Sequence, residues 1–363
     1  MKDYSQNVLF VGPHPSLRGG MASVLEVYSK NISHFNFLPT YYKTKALQRE
    51  WYFVKAIASL LHIFITKKQI KIVHIHVACR GSFIRKSIVV LLSKLFGRKV
   101  ILHMHGGEFK VYLKESGILK PYILYILNTA DELAVLSEEW KSYFDSITKR
   151  AKSTVVNNPV MMPASVKSNE LDIPIRILYM NHVTLKKGIF DIVETFKKNK
   201  TAFTGVFKLS IAGAGSDVEK LNGLIAENNL QDLVEYKGWV SGKEKEELIS
   251  NCNIFILTSY FEGLPMSILE SMSLGKAIIS SDVGGIPTIV KPGINGWLIK
   301  PGDIDGLTSV LLEIKKNPAV LQHYGNASLN IVQDYAPKNV IQKLNEMYAA
   351  LISKEPVKTA ASV

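Results

Sequence analysis

The chain has 363 residues, 47% of them apolar and 21% charged, with a formal net charge of +13 and two cysteines. That length allows two domains with sizeable cores, and the composition is that of a soluble globular protein. Cys79 and Cys252 stand far apart and without metal-ligand spacing, so disulfide staples and a zinc cluster are not expected and a reducing compartment fits.

The opening "MKDYSQNVLFVGPHP" lacks the apolar core and cleavage site of a signal peptide. The nearest approach to a membrane span, "YFVKAIASLLHIFI", is interrupted by Lys55 and His62. A cytoplasmic location is expected. Residues 1–175 carry 24 Lys and Arg against 12 Asp and Glu, whereas the remainder carries 20 against 19. The excess charge therefore belongs to the first half, which implies an acidic partner there: anionic lipid, a phosphorylated substrate or nucleic acid.

In chain order, the first half presents strand-like runs at "NVLFVGP", "KIVHIHV", "RKVILHMHG", "DELAVLS" and "STVVNNP". The second half presents "IRILYM", "FKLSIAG", "LVEYKGW", "NIFILTS", "KAIISS" and "NGWLIK". Helical patterns such as "GIFDIVETFKKN", "DVEKLNGLIAENN" and "EKEELISN" separate the later runs. Strands alternating with helices predict parallel β-α units in doubly wound sheets. The Pro- and Asn-rich stretch 157–174 is the expected linker. The reading is α/β: two Rossmann-like domains, 1–170 and 171–335, facing a central cleft where such sheets bind ligands. A helix in 336–363 is expected to return to the first domain, with a frayed tail.

Several motifs carry chemistry. "GPHPSLRGGMASV" (12–24) places Gly19 and Gly20 in a strand-to-helix loop, where backbone can approach a phosphate. "HIH" and "HMH" put His74 with His76, and His103 with His105, on one sheet face each. No carboxylate pattern completes a metal site there, so packing and hydrogen bonding are the favoured roles, with His105 at a strand's C-terminal end. "LKKG" (185–188) offers a lysine to a diphosphate. "IAGAGSDVEKL" (211–221) resembles a dinucleotide fingerprint but lacks the third glycine. "YFEGLPMSILESMSLG" (260–275) places Glu262 at a strand-to-helix turn and Glu270 on the helix behind it. Pro265 is expected in the first turn and Gly275 near the C-cap.

Taken in order, these features resemble the retaining nucleotide-sugar glycosyltransferases of the GT-B fold, glycosyltransferase family four. The resemblance spans nearly the whole chain and is strongest over 179–303, where Glu262 and Glu270 match the family's E-x7-E signature. It implies that Glu262, with the backbone at Gly263, Leu264 and Pro265, holds the donor sugar, and that Glu270 accepts from the ribose hydroxyls. Lys187 would neutralise the leaving diphosphate, Gly19 and Gly20 would approach the phosphates, His105 would lie near the sugar, and Gly238 and Trp239 would hold the base. His182 stands where the family commonly has a phosphate-clamping arginine, and Asn181 replaces a frequent glycine. This change weakens the clamp or shifts it to Lys186.

The resemblance implies a metal-independent transfer from a nucleoside-diphosphate sugar, with no cofactor and no nucleic-acid partner. The resemblance also implies a lipid-linked or other glycan acceptor, and the basic first half suits an anionic membrane surface. The expected setting is the inner face of a bacterial cytoplasmic membrane during surface-polysaccharide assembly. Lys67, Lys68, Lys71, Arg85, Lys86, Lys94, Arg98 and Lys99 are the candidate lipid contacts. The alternatives are a GT-B-fold sugar-nucleotide epimerase and a non-catalytic sugar-nucleotide or lipid-binding scaffold.

Overall fold

In the computed structural model, which describes residues 3–17, 19–42, 46–166 and 171–353, every strand-to-strand pairing is parallel. The chain forms two compact units, Met1–Pro159 with Pro337–Val363, and Val160–Ala336. The division falls at 159/160 rather than 170/171, and the helix Pro337–Ser353 belongs to the first unit. The expected frayed tail lies outside the described residues, as do Arg18 of the glycine loop and 167–170 of the linker.

The first unit holds β1 (Val8–Pro13), β2 (Asn36–Tyr41), β3 (Ile72–Val77), β4 (Lys99–Met104), β5 (Glu132–Val135) and β6 (Lys152–Val155), in the order β2-β1-β3-β4-β5-β6. Sequence patterning missed β2, because Pro39 removes a ladder donor and argues against a strand. It is tolerated because β2 is an edge strand, paired only to β1. The period-two alternation splits this sheet into two faces. Leu9, Val11, Val73, Ile75, Val100 and Leu102 point into the apolar core. Phe10, His74, His76 and His103 point the other way, where Tyr28 of the helix Gly20–Asn31 and Tyr348 of Pro337–Ser353 meet them.

The second unit holds β7 (Ile175–Met180), β8 (Phe207–Ala212), β9 (Val234–Gly238), β10 (Ile254–Leu257), β11 (Ala277–Ser281) and β12 (Gly296–Ile299), in the order β12-β11-β10-β7-β8-β9. Counted from β7, this is the Rossmann order, whose direction of winding reverses between its first and fourth strands. In this chain those strands are β7 and β10. β10 is wholly buried and β7 is buried at four of its six positions, as sheets covered on both faces require. The loops leaving their C-terminal ends contain Lys187 and Glu262.

Candidate active site

At the switch point, two loops are stitched together by the backbone. Tyr260 N–H donates to the Lys186 carbonyl at 2.9 Å, and Thr258 Oγ1 donates to the Gly188 carbonyl at 2.9 Å. Gly188 has φ 72°, and a Cβ there would fall 2.0 Å from the Thr258 carbonyl oxygen, so glycine is required on two counts. This close contact brings Lys187 Nζ to 2.6 Å from Glu262 Oε1, with 24% and 11% of the side chains exposed. The Glu262 loop is fixed from its far side, where Gly285 N–H donates to the Gly263 carbonyl at 2.7 Å. Gly263, Leu264 and Pro265 are buried. Pro265 stands at the N-cap of the helix Met266–Ser273, one position outside the expected first turn, with ψ 124°. Gly275 has φ 70° just beyond the C-cap Leu274.

Glu270, one turn into that helix, accepts from Lys245 Nζ at 2.6 Å. Lys245 belongs to the helix Gly242–Asn251, which follows Gly238 and Trp239. Gly238 has φ 72° and its carbonyl accepts from Gly213 N–H at 2.7 Å, while Trp239 is half-buried. Gly213 and Gly215 lie against the Asn181 and Val183 carbonyls, where a Cβ would come within 2.0 Å. The apparent dinucleotide fingerprint therefore packs loop on loop. His182 is exposed, and its Nδ1 donates to the Ala214 carbonyl at 3.1 Å, so one ring nitrogen is tied to the backbone. Lys186 is exposed as well.

In the first unit, Gly19 (φ 133°) is the N-cap of the helix beginning at Gly20, with no capping side chain. His105 leaves the C-terminal end of β4 and enters a stack of four imidazoles. Its Nε2 lies 2.8 Å from His76 Nδ1, and His74 Nε2 lies 3.1 Å from His103 Nδ1. The His74–His103 pair is closed by the Tyr348 hydroxyl (2.7 Å from His74 Nδ1) and the Val156 carbonyl (3.3 Å from His103 Nε2). His76–His105 is a separate pair, whose His76 Nε2 is buried without a hydrogen-bond partner among the described residues. Burial holds all four rings below the ordinary histidine value, His103 to about 4. Neighbouring histidines push His74, His76 and His105 lower still, and Lys86 adds to this for His76 and His105.

His74, His76 and His103 bring one nitrogen each within 4.8 Å of one another. Their ring planes are tilted by only 8°, 25° and 33°, so the lone pairs lie in nearly parallel planes and do not converge as tetrahedral metal ligands would. Two hydrogen-bonded imidazole pairs in ring contact with each other are the better physical account of the cluster.

The structure corrects part of the proposed lipid-binding set. Lys86 is buried and donates to Ser82 Oγ at 3.1 Å. Lys94 and Lys99 both pair with Asp131, at 2.8 and 3.5 Å. Arg98 donates to the Phe64 carbonyl and lies over the Phe64 ring, and Arg85 lies over Tyr41. Lys67 and Lys68 remain exposed, with Lys71 half-buried. Sequence reasoning also missed Lys245, hidden in the charge run "GKEKEEL", and Asp191. Burial pushes the Asp191 carboxyl up, although a hydrogen bond with Tyr260 opposes this.

Comparison with known proteins bears chiefly on the second unit. Residues 163–330 match the family model of the glycosyl transferases group 1. The match falls within the second unit and covers less than half of the chain. The amylovoran biosynthesis glycosyltransferase AmsK of Erwinia amylovora is 31% identical over 243 residues, covering 64% of this chain and 56% of that protein. The lipopolysaccharide 1,6-galactosyltransferase of Salmonella typhimurium is 35% identical over 176 residues, covering 47% and 48%. The chain thus spans about half the length of these curated relatives. Anabaena Alr3699/HepE, solved in complex with UDP, shares the fold: TM-score 0.75 at 13% identity, over 95% of this chain and 100% of that one. The fold is that of the GT-B glycosyltransferases.

Proposed function

We propose that the protein transfers a glycosyl group from a nucleoside-diphosphate sugar to an acceptor hydroxyl, with retention at the anomeric carbon and without a bound metal. The observation that carries this reading is the Lys187–Glu262 pair at the switch point of the group 1 module. The ammonium and the carboxylate neutralise each other. A donor offers each a further partner: its diphosphate to Lys187, its sugar hydroxyls to Glu262. The bond from the anomeric carbon to the diphosphate breaks with its electron pair moving to the leaving oxygen. Lys187 and the N-terminus of the helix Met266–Ser273 stabilise that charge. The acceptor oxygen bonds to the carbon on the same face, and its proton goes to the departing diphosphate oxygen. Glu262 is held by Lys187, which argues for binding rather than nucleophilic attack.

Glu270 is assigned the ribose hydroxyls, Gly238 and Trp239 the base, and His182 with Lys186 a weaker phosphate contact. Gly19, Gly20 and His105 keep the roles that the family resemblance implies. The UDP complex of HepE supports a nucleotide-sugar donor. The part of AmsK in amylovoran biosynthesis supports a glycan acceptor in bacterial surface-polysaccharide assembly, and the lipopolysaccharide galactosyltransferase supports a lipid-linked one. Among the described residues, no helix is long and apolar enough to cross a membrane. A peripheral attachment is supported by the helix Ala46–Thr66, which exposes Trp51 (60%), Val54 (55%) and Ile65 (60%). Lys55 lies over the Trp51 ring, and exposed Lys67 and Lys68 follow. We assign the inner face of the cytoplasmic membrane.

Proton NMR of the product formed in excess EDTA tests the reaction. The anomeric coupling constant should match that of the donor. Inversion, metal-dependent activity, or conversion of the donor alone to an epimer would each overturn the corresponding part of the reading.

A further inference from the structure

The ion pair of Lys245 with Glu270 has no part in the reaction described above. Lys245 Nζ lies 2.6 Å from Glu270 Oε1, and the two side chains are only 27% and 18% exposed. The partners come from different helices, Gly242–Asn251 and Met266–Ser273, so the contact is tertiary rather than a pairing within one helix. A glutamate side chain has three rotatable bonds, and an unanchored carboxylate would sample several orientations. A charge-assisted hydrogen bond of this length fixes one oxygen, and with it the plane of the carboxylate. An ionised carboxylate has about four lone-pair positions, so the bond to Lys245 is compatible with accepting others.

We propose that Lys245 is a positioning residue that sets the Glu270 carboxylate to grip a ribose diol, and so makes the site discriminate ribonucleotides from deoxyribonucleotides. This rests on the reading that Glu270 takes the ribose hydroxyls. A diol presents two donors at a fixed separation, and a carboxylate matches both only when its plane is correctly turned. A freely rotating carboxylate keeps one bond at a time, and the second hydroxyl then contributes little. Lys245 also comes from the helix that follows Gly238 and Trp239, which links the grip on the ribose to the turn assigned to the base.

The test is calorimetric titration of the full chain with UDP, GDP and ADP. The tightest of these is then compared with its 2′-deoxy counterpart in the wild type, Lys245→Ala, Lys245→Arg and Glu270→Ala. The wild type should prefer the ribonucleotide by about tenfold or more, the scale of a lost hydrogen bond to a charged group. Glu270→Ala should abolish the preference, Lys245→Ala should reduce it to about two- to threefold, and Lys245→Arg should restore most of it. Ligand-free thermal unfolding of each variant checks that the fold is intact.

If Glu270→Ala removes the preference and Lys245→Ala retains it in full, the positioning role is wrong and the donor reading stands. Equal weakening of both nucleotides by Lys245→Ala would make Lys245 a direct nucleotide contact and also overturn the proposal. If none of the three nucleotides binds the wild type, the donor reading falls and the inference falls with it.

Discussion

Lys86 shows how much the surroundings of one residue can change its meaning. Its ammonium is buried on the helix Gly81–Leu95, and burial, aided by nearby Arg85, lowers its pKa from 10.5 to about 7. The unfolded chain keeps the proton up to about pH 10.5, so this lysine subtracts stability as pH falls from there to about 7. Lys86→Met keeps the length of the side chain and removes the charge. It should raise the melting temperature at neutral pH, by about 2–4 °C for each kcal/mol recovered, and the gain should shrink as pH approaches 10.5. A fall in melting temperature at pH 7 would mean that the ammonium has a partner worth more than its desolvation costs.

At the scale of elements, the two histidine-bearing strands make the first unit sensitive to acid. The four imidazoles of β3, β4 and the residue after β4 are held below the ordinary value of 6.5, chiefly by burial. Their contribution is fully present above pH 6.5. Below that value the unfolded chain binds protons that the folded chain refuses, and for His103 this continues down to about 4. Each such histidine should cost about 1.4 kcal/mol per pH unit through this window. Melting temperatures measured between about pH 7 and pH 5 should fall steeply in the wild type and less steeply in His103→Asn. Parallel slopes would contradict the account.

The element pattern was legible because buried parallel strands read as short apolar runs between helical periods, as in "NIFILTS" and "KAIISS". β2 was not legible because Pro39 is admissible only at a sheet edge, and edges are set by tertiary order. Glu262 and Glu270 stood out through their match to the E-x7-E signature, and Lys187 through its place in "LKKG" after a strand. Lys245 did not, because its partner lies 25 positions away on another helix, at a distance that no local pattern encodes. The engagement of Lys94, Lys99 and Arg98 with Asp131 and Phe64 was hidden for the same reason.

For the whole molecule, the uneven charge and the exposed face of the helix Ala46–Thr66 predict salt-sensitive binding to anionic vesicles. Each basic residue near such a surface is worth about 1 kcal/mol. In flotation assays the double variant Lys67→Glu/Lys68→Glu should lose most of the binding, whereas Lys86→Met should keep it. Equal recovery on neutral and anionic vesicles would remove the membrane assignment and leave the transferase reading intact. The central claim, that a nucleoside-diphosphate sugar binds at the Lys187–Glu262 pair, is tested most directly by thermal unfolding across a panel of nucleotide-sugars. One donor at about 100 times its Kd should stabilise the wild type by about 2.7 kcal/mol. Lys187→Ala and Glu262→Ala should lose most of that shift at the same concentration. Stabilisation of both variants to the wild-type extent, or no stabilisation by any donor, would contradict the account.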